Sequence, residues 1–446
     1  MRGIVPEAVR QIVRRYTSIR FRLAVYRAFW AAFDGAVCTI FCTLALPAMY
    51  LLEPVVRLRV GELRINHIGH LAIEPELLLR QLCLDGAGRA TRVFLAHGEP
   101  ANRQLFEMWR RRLRVIEIRN RFAWRAFSSV KPIIIHTRFD QPFPGACSGW
   151  EGGGRCHDVM FNAGPQLAFT PAEEARGQTE LRRMGVPEGA WFVAFHARDP
   201  VYYAWLNGYR KHYATTFRDM SVETMFEAMQ WIAVSGGYSI RMGAIVEHAL
   251  PDLGLRTIDY ATHYRSDFMD VYLCAKARFF MGSNSGLACL AQIFDVPIGL
   301  SNLFPYHTVP SGKGVTYVRM FLRDRKTGQT LSFPEIKRRS LLQCPASHAP
   351  ERITQKYYDD RALDVVHNDA ADITNLCMDM MDQSEGRPPA PEGLRLRERH
   401  RMLYDGVDRA PEAGQISTRF ALRHAHLIEP EHPLAVESAP ETEISQ

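Results

Sequence analysis

Residues 283 to 286, Ser-Asn-Ser-Gly, separate the apolar run Phe279 to Met281 from a second one, Leu287 to Phe294, and Val296 to Leu300 follows. This order reads as strand, tight turn, short helix, strand. A helix opening on Ser285-Gly286 leaves its first backbone N–H groups unsatisfied, and the macrodipole adds partial positive charge there. A phosphate fits such a turn. The plainer alternative is that Ser285 caps the helix and no ligand is involved.

Two further apolar runs end in charge. "WFVAFHARD" closes on His196-Ala197-Arg198-Asp199, and "YSIRMG" carries Arg241 near its end. Arg198, Arg241 and the turn Ser283, Asn284, Ser285, Gly286 thus stand at three strand ends, where planar guanidinium forks could hold a diphosphate. The alternative for the arginines is ion pairing with Asp199 and Asp219 or Asp267. Earlier in the chain, His67, Gly69, His70, Glu74, Glu76, His97 and His136 fall at or just after predicted strands. Imidazole and carboxylate groups there can take a proton from a nucleophilic hydroxyl. Solvated loop polarity is the alternative for each of them.

These residues need a scaffold. "ELRINHIGHLAIEPELLLRQLCL" predicts a strand to about Ile68, a Gly69-His70 turn and a helix with Leu77, Leu78 and Leu82 inward. "TRVFLAH", "RVIEI" and "KPIIIH" read as three more strands, with "ANRQLFEMWRRRL" as a helix between the first two. Alternating strands and helices imply parallel pairing, with the ligand crevice outside the carboxyl ends of the strands. A second such domain starts near "TPAEEARGQTELRRMGVPEGA". It continues with a helix from Ser221, a strand ending at Asp259-Tyr260 and a helix that Asp267 is placed to cap. The expected organisation is a basic arm and apolar segment (1–55), a first Rossmann-like domain (56–165), a second (166–345), a helical tail packing back on the first domain (346–428) and a disordered acidic end (429–446).

The 446 residues, 47% hydrophobic, suffice for more than one core. Net charge is +7, and seven Arg against Glu7 in the first thirty residues supply +6 of it. This disfavours a general nucleic-acid binder and suits an arm that meets anionic headgroups. Residues 35 to 52, "GAVCTIFCTLALPAMYLL", hold no charge, are at the lower limit for a bilayer span and contain Pro47 as a kink. Because basic residues flank both ends, a helix lying in the interface or re-entering on one side satisfies them; a buried core helix is the alternative. Nine cysteines, an odd number without a framework, favour a reducing compartment. Cys147, Cys156 and His157 make only a weak metal pattern.

The succession "HARD", "GYSIRMG" and "DFMDVYLCAKARFFMGSNSGLA" resembles a family of glycosyltransferases encoded among bacterial surface-polysaccharide genes, over residues 60 to about 345. "FHARD" is similar to a strand end of fucosyltransferases, with one residue fewer before Asp199. "GSNSGLACLAQIFDVPIGL" is similar to a segment of lipopolysaccharide heptosyltransferases, without the His that follows their Ser-Gly. The resemblance implies a GT-B architecture of two facing Rossmann-like domains. It also implies donor diphosphate contacts for Arg198, Ser285 and Gly286, and an acceptor base at His70, less firmly Glu74 or Glu76. No Asp-x-Asp motif and no retaining signature occur, which favours inverting, metal-independent transfer. The expected partners are a nucleotide-sugar co-substrate, a glycan or lipid-linked glycan acceptor and the cytoplasmic face of the inner membrane, with no other cofactor. A non-catalytic sugar-nucleotide or glycan-binding homologue is the rival, and a UDP-sugar epimerase a third reading.

Overall fold

Strands that are apolar on every residue must be covered on both faces, and four strands of this chain, Phe279–Ser283, Ile298–Leu303, Val315–Arg319 and most of Phe192–His196, are buried throughout. The computed structural model describes residues 7–86, 88–143, 159–202, 218–306, 310, 312–342, 355–404 and 414–430. They form two compact units. The first comprises residues 1–66, 87–99 and 110–142, and the second 67–86, 100–109 and 143–446.

The first unit holds a three-stranded parallel sheet, β1 (Leu58–Glu62), β2 (Thr91–Ala96) and β3 (Arg114–Glu117), in that order. A long helix precedes it: α1 (Glu7–Ile40), a π-helical turn at Phe41–Ala45 and α2 (Leu46–Leu52). Pro47, which lacks the N–H of a regular helical turn, thus sits just after the wide turn. Residues Arg22–Leu52 are long and apolar enough to cross a membrane, by length and composition. The expected fourth strand, "KPIIIH", is instead the end of a helix, Arg121–Ile134. Asn120 caps it through Phe122 N–H and Ala123 N–H, and Phe127, Val130 and Ile134 fall on one buried stripe. That stripe has helical spacing, which outweighs the β-branched run.

The second unit carries a seven-stranded, wholly parallel sheet of β4 (Phe192–His196), β5 (Tyr238–Arg241), β6 (Thr257–Ile258), β7 (Phe279–Ser283), β8 (Ile298–Leu303), β9 (Val315–Arg319) and, after the antiparallel pair β10 (Phe321–Asp324) and β11 (Leu363–Val366), β12 (Gln415–Ile416). Its spatial order is β12-β9-β8-β7-β4-β5-β6. Successive strands run one way from β4 to β6 and the other way from β7 to β9, so the topological switch lies between β4 and β7. The expected α/β class and amino-terminal apolar helix are both present.

Helices α3 (Ile68–Asp85) and α4 (Arg103–Arg110) contribute residues 67–86 and 100–109 to this second unit. Indole Nε1–H of Trp109 donates to Leu71 carbonyl at 2.7 Å and fixes them to each other. The tail, expected with the first domain, is part of this second unit: β12 extends the sheet edge beside β9, and the helix Ala370–Ser384 packs on β8 and β9. Its buried face of Ile373, Leu376, Cys377 and Met380 explains the docking. The acidic end from residue 431, and Cys147, Cys156 and His157, lie outside the described residues. Among the described residues no cluster of metal-ligating side chains occurs, and the six cysteines are free.

Candidate functional site

At the switch point the carboxyl ends of β4 and β7 diverge and leave a crevice. A cavity with about 220 Å³ of water-accessible space lies in the second unit and is lined from β4 by His196, Ala197, Arg198 and Asp199 and from beyond β7 by Ser285, Gly286, Leu287 and Cys289. His67, Ile68, Gly69, His70 and Ile73 of α3 form another wall, and Ala244, Ile245 and Val246 an apolar side.

Two helices begin at this cavity. One is α3; the other, Gly286–Gln292, follows β7. Their N-caps, His67 and Ser285, make no side-chain capping hydrogen bond, and neither first turn holds an acidic residue. The two starts touch: a Cβ on Gly286 would lie 2.5 Å from Ile68 Cγ2 and 2.8 Å from Gly69 N. Only glycine permits that approach. Ser285 Oγ is buried and has no hydrogen-bond partner among the described residues. The hydroxyl therefore carries an unmet desolvation cost that a ligand could relieve.

On the α3 wall, His70 Nδ1 lies 2.8 Å from Glu74 Oε1. An ionised carboxylate accepts only, so Nδ1 is the donor, and in the neutral ring Nε2 then keeps its lone pair. The His70 side chain is 31% exposed while that of Glu74 is 2% exposed, which makes the imidazole the accessible partner and the carboxylate its orienter. A base oriented by a buried third group is the arrangement that activates hydroxyl nucleophiles.

The expected residues divide accordingly. Arg198 lines the cavity; its Nη1 donates to Asp219 Oδ1 at 2.7 Å and its backbone N–H to Ser283 Oγ at 3.2 Å. Burial raises the Asp219 carboxyl above its ordinary value, against the attraction of Arg198. Asp199 accepts from Val201 N–H and Glu247 N–H, a loop-fixing role at the cavity edge. Ser283 and Asn284 support the turn from behind; the Asn284 carbonyl accepts from Arg218 Nη2 at 2.7 Å. Arg241 does not reach the cavity. It is buried against Asp259 at 3.1 Å and donates to the His248 carbonyl, the ion-pair alternative with a different partner than expected. Glu76 points away as well, into a buried pair with Arg80 at 2.6 Å. His97 and His136 belong to the first unit, His97 bonded to the Ile118 carbonyl and stacked on Trp124.

Four lining groups have no counterpart in the sequence reading of the site. Arg218 and Arg265 come from irregular segments. Arg265 pairs with Asp267 at 2.8 Å and Asp270 at 3.0 Å, and burial pushes the Asp270 carboxyl up to about 6. Tyr202 follows β4. His196, the last residue of β4, donates from Nδ1 to the Met242 carbonyl at 3.2 Å, and burial pushes its imidazole down to about 4. A signal existed for His196, which shares its strand end with Arg198. None existed for the two loop arginines.

His196 gives a signed pH dependence. Its folded value lies below the ordinary 6.5, so its contribution to stability is present above that value and is lost as pH falls toward 4. Denaturant unfolding from pH 7 to pH 4.5 should show a shallower acid loss in His196→Asn than in the parent chain. Parallel profiles would contradict a neutral buried imidazole.

No protein-family model matches the sequence, and no curated protein matches it. Solved structures with similarity include the glycosyl transferase family 9 protein of Veillonella parvula, at TM-score 0.38 and 9% identity over 69% of this chain and 96% of that one. The E. coli ADP-heptose lipopolysaccharide heptosyltransferase II scores 0.32 at 10% identity over 55% and 84%. An E. coli heptosyltransferase with ADP-2-deoxy-2-fluoro heptose scores 0.33 at 13% identity over 59% and 93%. At such scores the likeness carries no assignment of substrate or residue roles, which rest on the cavity itself.

Proposed function

We propose that the chain is a glycosyltransferase of GT-B type that moves a sugar from a nucleotide-sugar donor to a cell-surface polysaccharide or lipid-linked glycan at the cytoplasmic membrane face. The observation that carries this reading is the meeting, in one cavity, of the His70–Glu74 pair with the unpartnered Ser285 hydroxyl between two uncapped helix starts. In the proposed reaction His70 Nε2 takes the proton of the acceptor hydroxyl as its oxygen attacks the anomeric carbon. The bond from that carbon to the diphosphate breaks with inversion, and its electron pair leaves on the diphosphate. Backbone N–H groups of the helix starts, Ser285 Oγ and the guanidinium groups of Arg198, Arg218 and Arg265 receive the growing negative charge. Arg198 and Arg265 already face carboxylates, so they offer the diphosphate charge-assisted hydrogen bonds more than unbalanced charge.

Ser285→Ala tests the donor site cleanly. The hydroxyl makes no hydrogen bond among the described residues, so its removal should leave the ligand-free melting temperature unchanged or slightly raised. In the parent chain, one of ADP-, GDP-, UDP- or CMP-sugar should raise the melting temperature, because a ligand of the native state stabilises it. In the variant that shift should shrink by an amount matching about tenfold weaker binding. A parent protein that unfolds cooperatively and responds to none of the four would sink the donor assignment. Binding without transfer to any acceptor would move the chain to the non-catalytic class.

A further inference from the structure

Charge is unevenly divided between the two units. The first carries twenty-one Lys and Arg against seven Asp and Glu, a net of +14, while the second carries −7. The near balance of the chain beyond its basic arm therefore hides two opposed surpluses. The first unit also bears the long apolar helix.

That helix has two different faces. Trp30, Phe33, Asp34, Val37, Cys38, Phe41 and Ala45 recur at three- and four-residue spacing and are half-buried. Val37, Cys38 and Phe41 pack on Phe127, Val130 and Ile134, and Trp30 stacks on Phe122, all on the helix Arg121–Ile134. At mid-length, Asp34 pairs with Arg125 and accepts from Ser129 Oγ at 2.7 Å. The other face exposes Phe29, Ile40, Leu44, Leu51 and, just past the helix end, Val55. Within the first unit, no contact among the described residues covers it.

We propose that the first unit docks on an anionic phospholipid surface with this helix lying in the plane of the membrane and not crossing it. The inference deepens the membrane part of the function proposed above and uses only the first unit. Its occupant follows from chemistry: an apolar strip on a body of +14 suits acyl chains beneath acidic headgroups. The orientation follows from packing. Crossing would drag Arg121, Arg125 and Lys131 of the partner helix into hydrocarbon, or strip that helix away and expose the stripe of Phe127, Val130 and Ile134. Lying flat keeps the packed face toward water and protein, and it places the arginines before residue 28 and those at 57 and 59 on the same side.

The test uses the full chain. Flotation with vesicles should show at least about tenfold stronger association with phosphatidylcholine containing phosphatidylglycerol than with phosphatidylcholine alone. Leu44→Glu with Leu51→Glu should reduce it at least about tenfold at an unchanged melting temperature, and Ile40→Glu serves as a second variant if the first does not fold. Topology is read by placing a single cysteine at Thr17→Cys or Val56→Cys, with the exposed native cysteines changed to Ser, in sealed membrane vesicles of known orientation. A membrane-impermeant maleimide should label both positions from the same side. Labelling from opposite sides, equal binding to neutral vesicles, or full binding by the glutamate variants would each overturn the proposal. A missing nucleotide-sugar response would not touch it, since that readout reports on the second unit.

Discussion

Replacing His70 with Gln should lower the turnover of the proposed sugar transfer by about 10²- to 10⁴-fold while leaving binding of the proposed donor close to the parent level. His70 is the accessible member of the pair, and Glu74, almost wholly buried, holds its Nδ1 at 2.8 Å and directs Nε2 outward. Glutamine fills similar space and keeps a hydrogen bond to Glu74, but its amide cannot accept a proton at neutral pH. Glu74→Gln should cost less, about tenfold to a hundredfold, because the imidazole remains but loses the partner that selects its tautomer. Single-turnover rates with saturating donor separate the two effects from binding. Transfer by His70→Gln at the parent rate would remove His70 from the chemistry and limit the cavity to donor recognition.

The second large effect concerns the framework behind the cavity. Arg80→Met should destabilise the protein by about 3–5 kcal/mol, the usual result of removing one partner from a buried pair. Arg80 and Glu76 are both fully buried, 2.6 Å apart, and Arg80 also pairs with Asp295 at 2.8 Å. Its guanidinium donates to the carbonyls of Met160, Ala163 and Ile293, so truncation strands several acceptors at once. Adding Glu76→Leu should recover much of the loss, since a charge-free core of similar volume avoids the desolvation cost. The pH dependence has a definite sign. Burial pushes the Glu76 carboxyl up to about 7, so the folded protein keeps a proton that the unfolded chain releases near 4.5. Stability is therefore lost as pH rises between these values, and without Arg80 the carboxyl rises further and the loss extends upward. The deficit of Arg80→Met should thus be larger at pH 8 than at pH 5, as read by denaturant titration. Because Ile293 directly follows the helix that starts at Gly286, loosening this anchor should also weaken ligand binding at the far end.

Much of the scaffold is legible locally. Buried parallel strands read as continuous apolar runs, and the turn at Ser283 to Gly286 stands out between two of them. The charged ends of β4 and β5 are plain as well. The charge-free segment before residue 53 marks the apolar helix, and the Asp-Ile-Thr-Asn-Leu stretch marks the helix that covers β8 and β9. The "KPIIIH" run deceives because its isoleucines favour a strand taken alone, while Phe127, Val130 and Ile134 together obey the helical period.

The site itself was only half legible. Starting the helix at Ile68 puts His70 and Glu74 one turn apart on a common face; starting it after the Gly69-His70 pair hides that relation. Glu74 and Glu76 differ by two positions, about 200° around a helix, so one faces His70 and the other faces Arg80. Spacing alone does not tell which face meets the cavity. Arg198 and Arg241 both sit at strand ends, yet Arg241 is in register with Phe195 and paired to Asp259, while Arg198, three residues further along, stays at the cavity wall. Arg218 and Arg265 arrive from segments without periodicity. Sequence by itself determined the alternation of strands and helices, the apolar helix and the Ser-Gly turn, because each depends on neighbours within a few residues. Tertiary structure alone decided which helix face, which arginine and which carboxylate share the cavity, because those choices depend on pairings between residues tens to hundreds of positions apart.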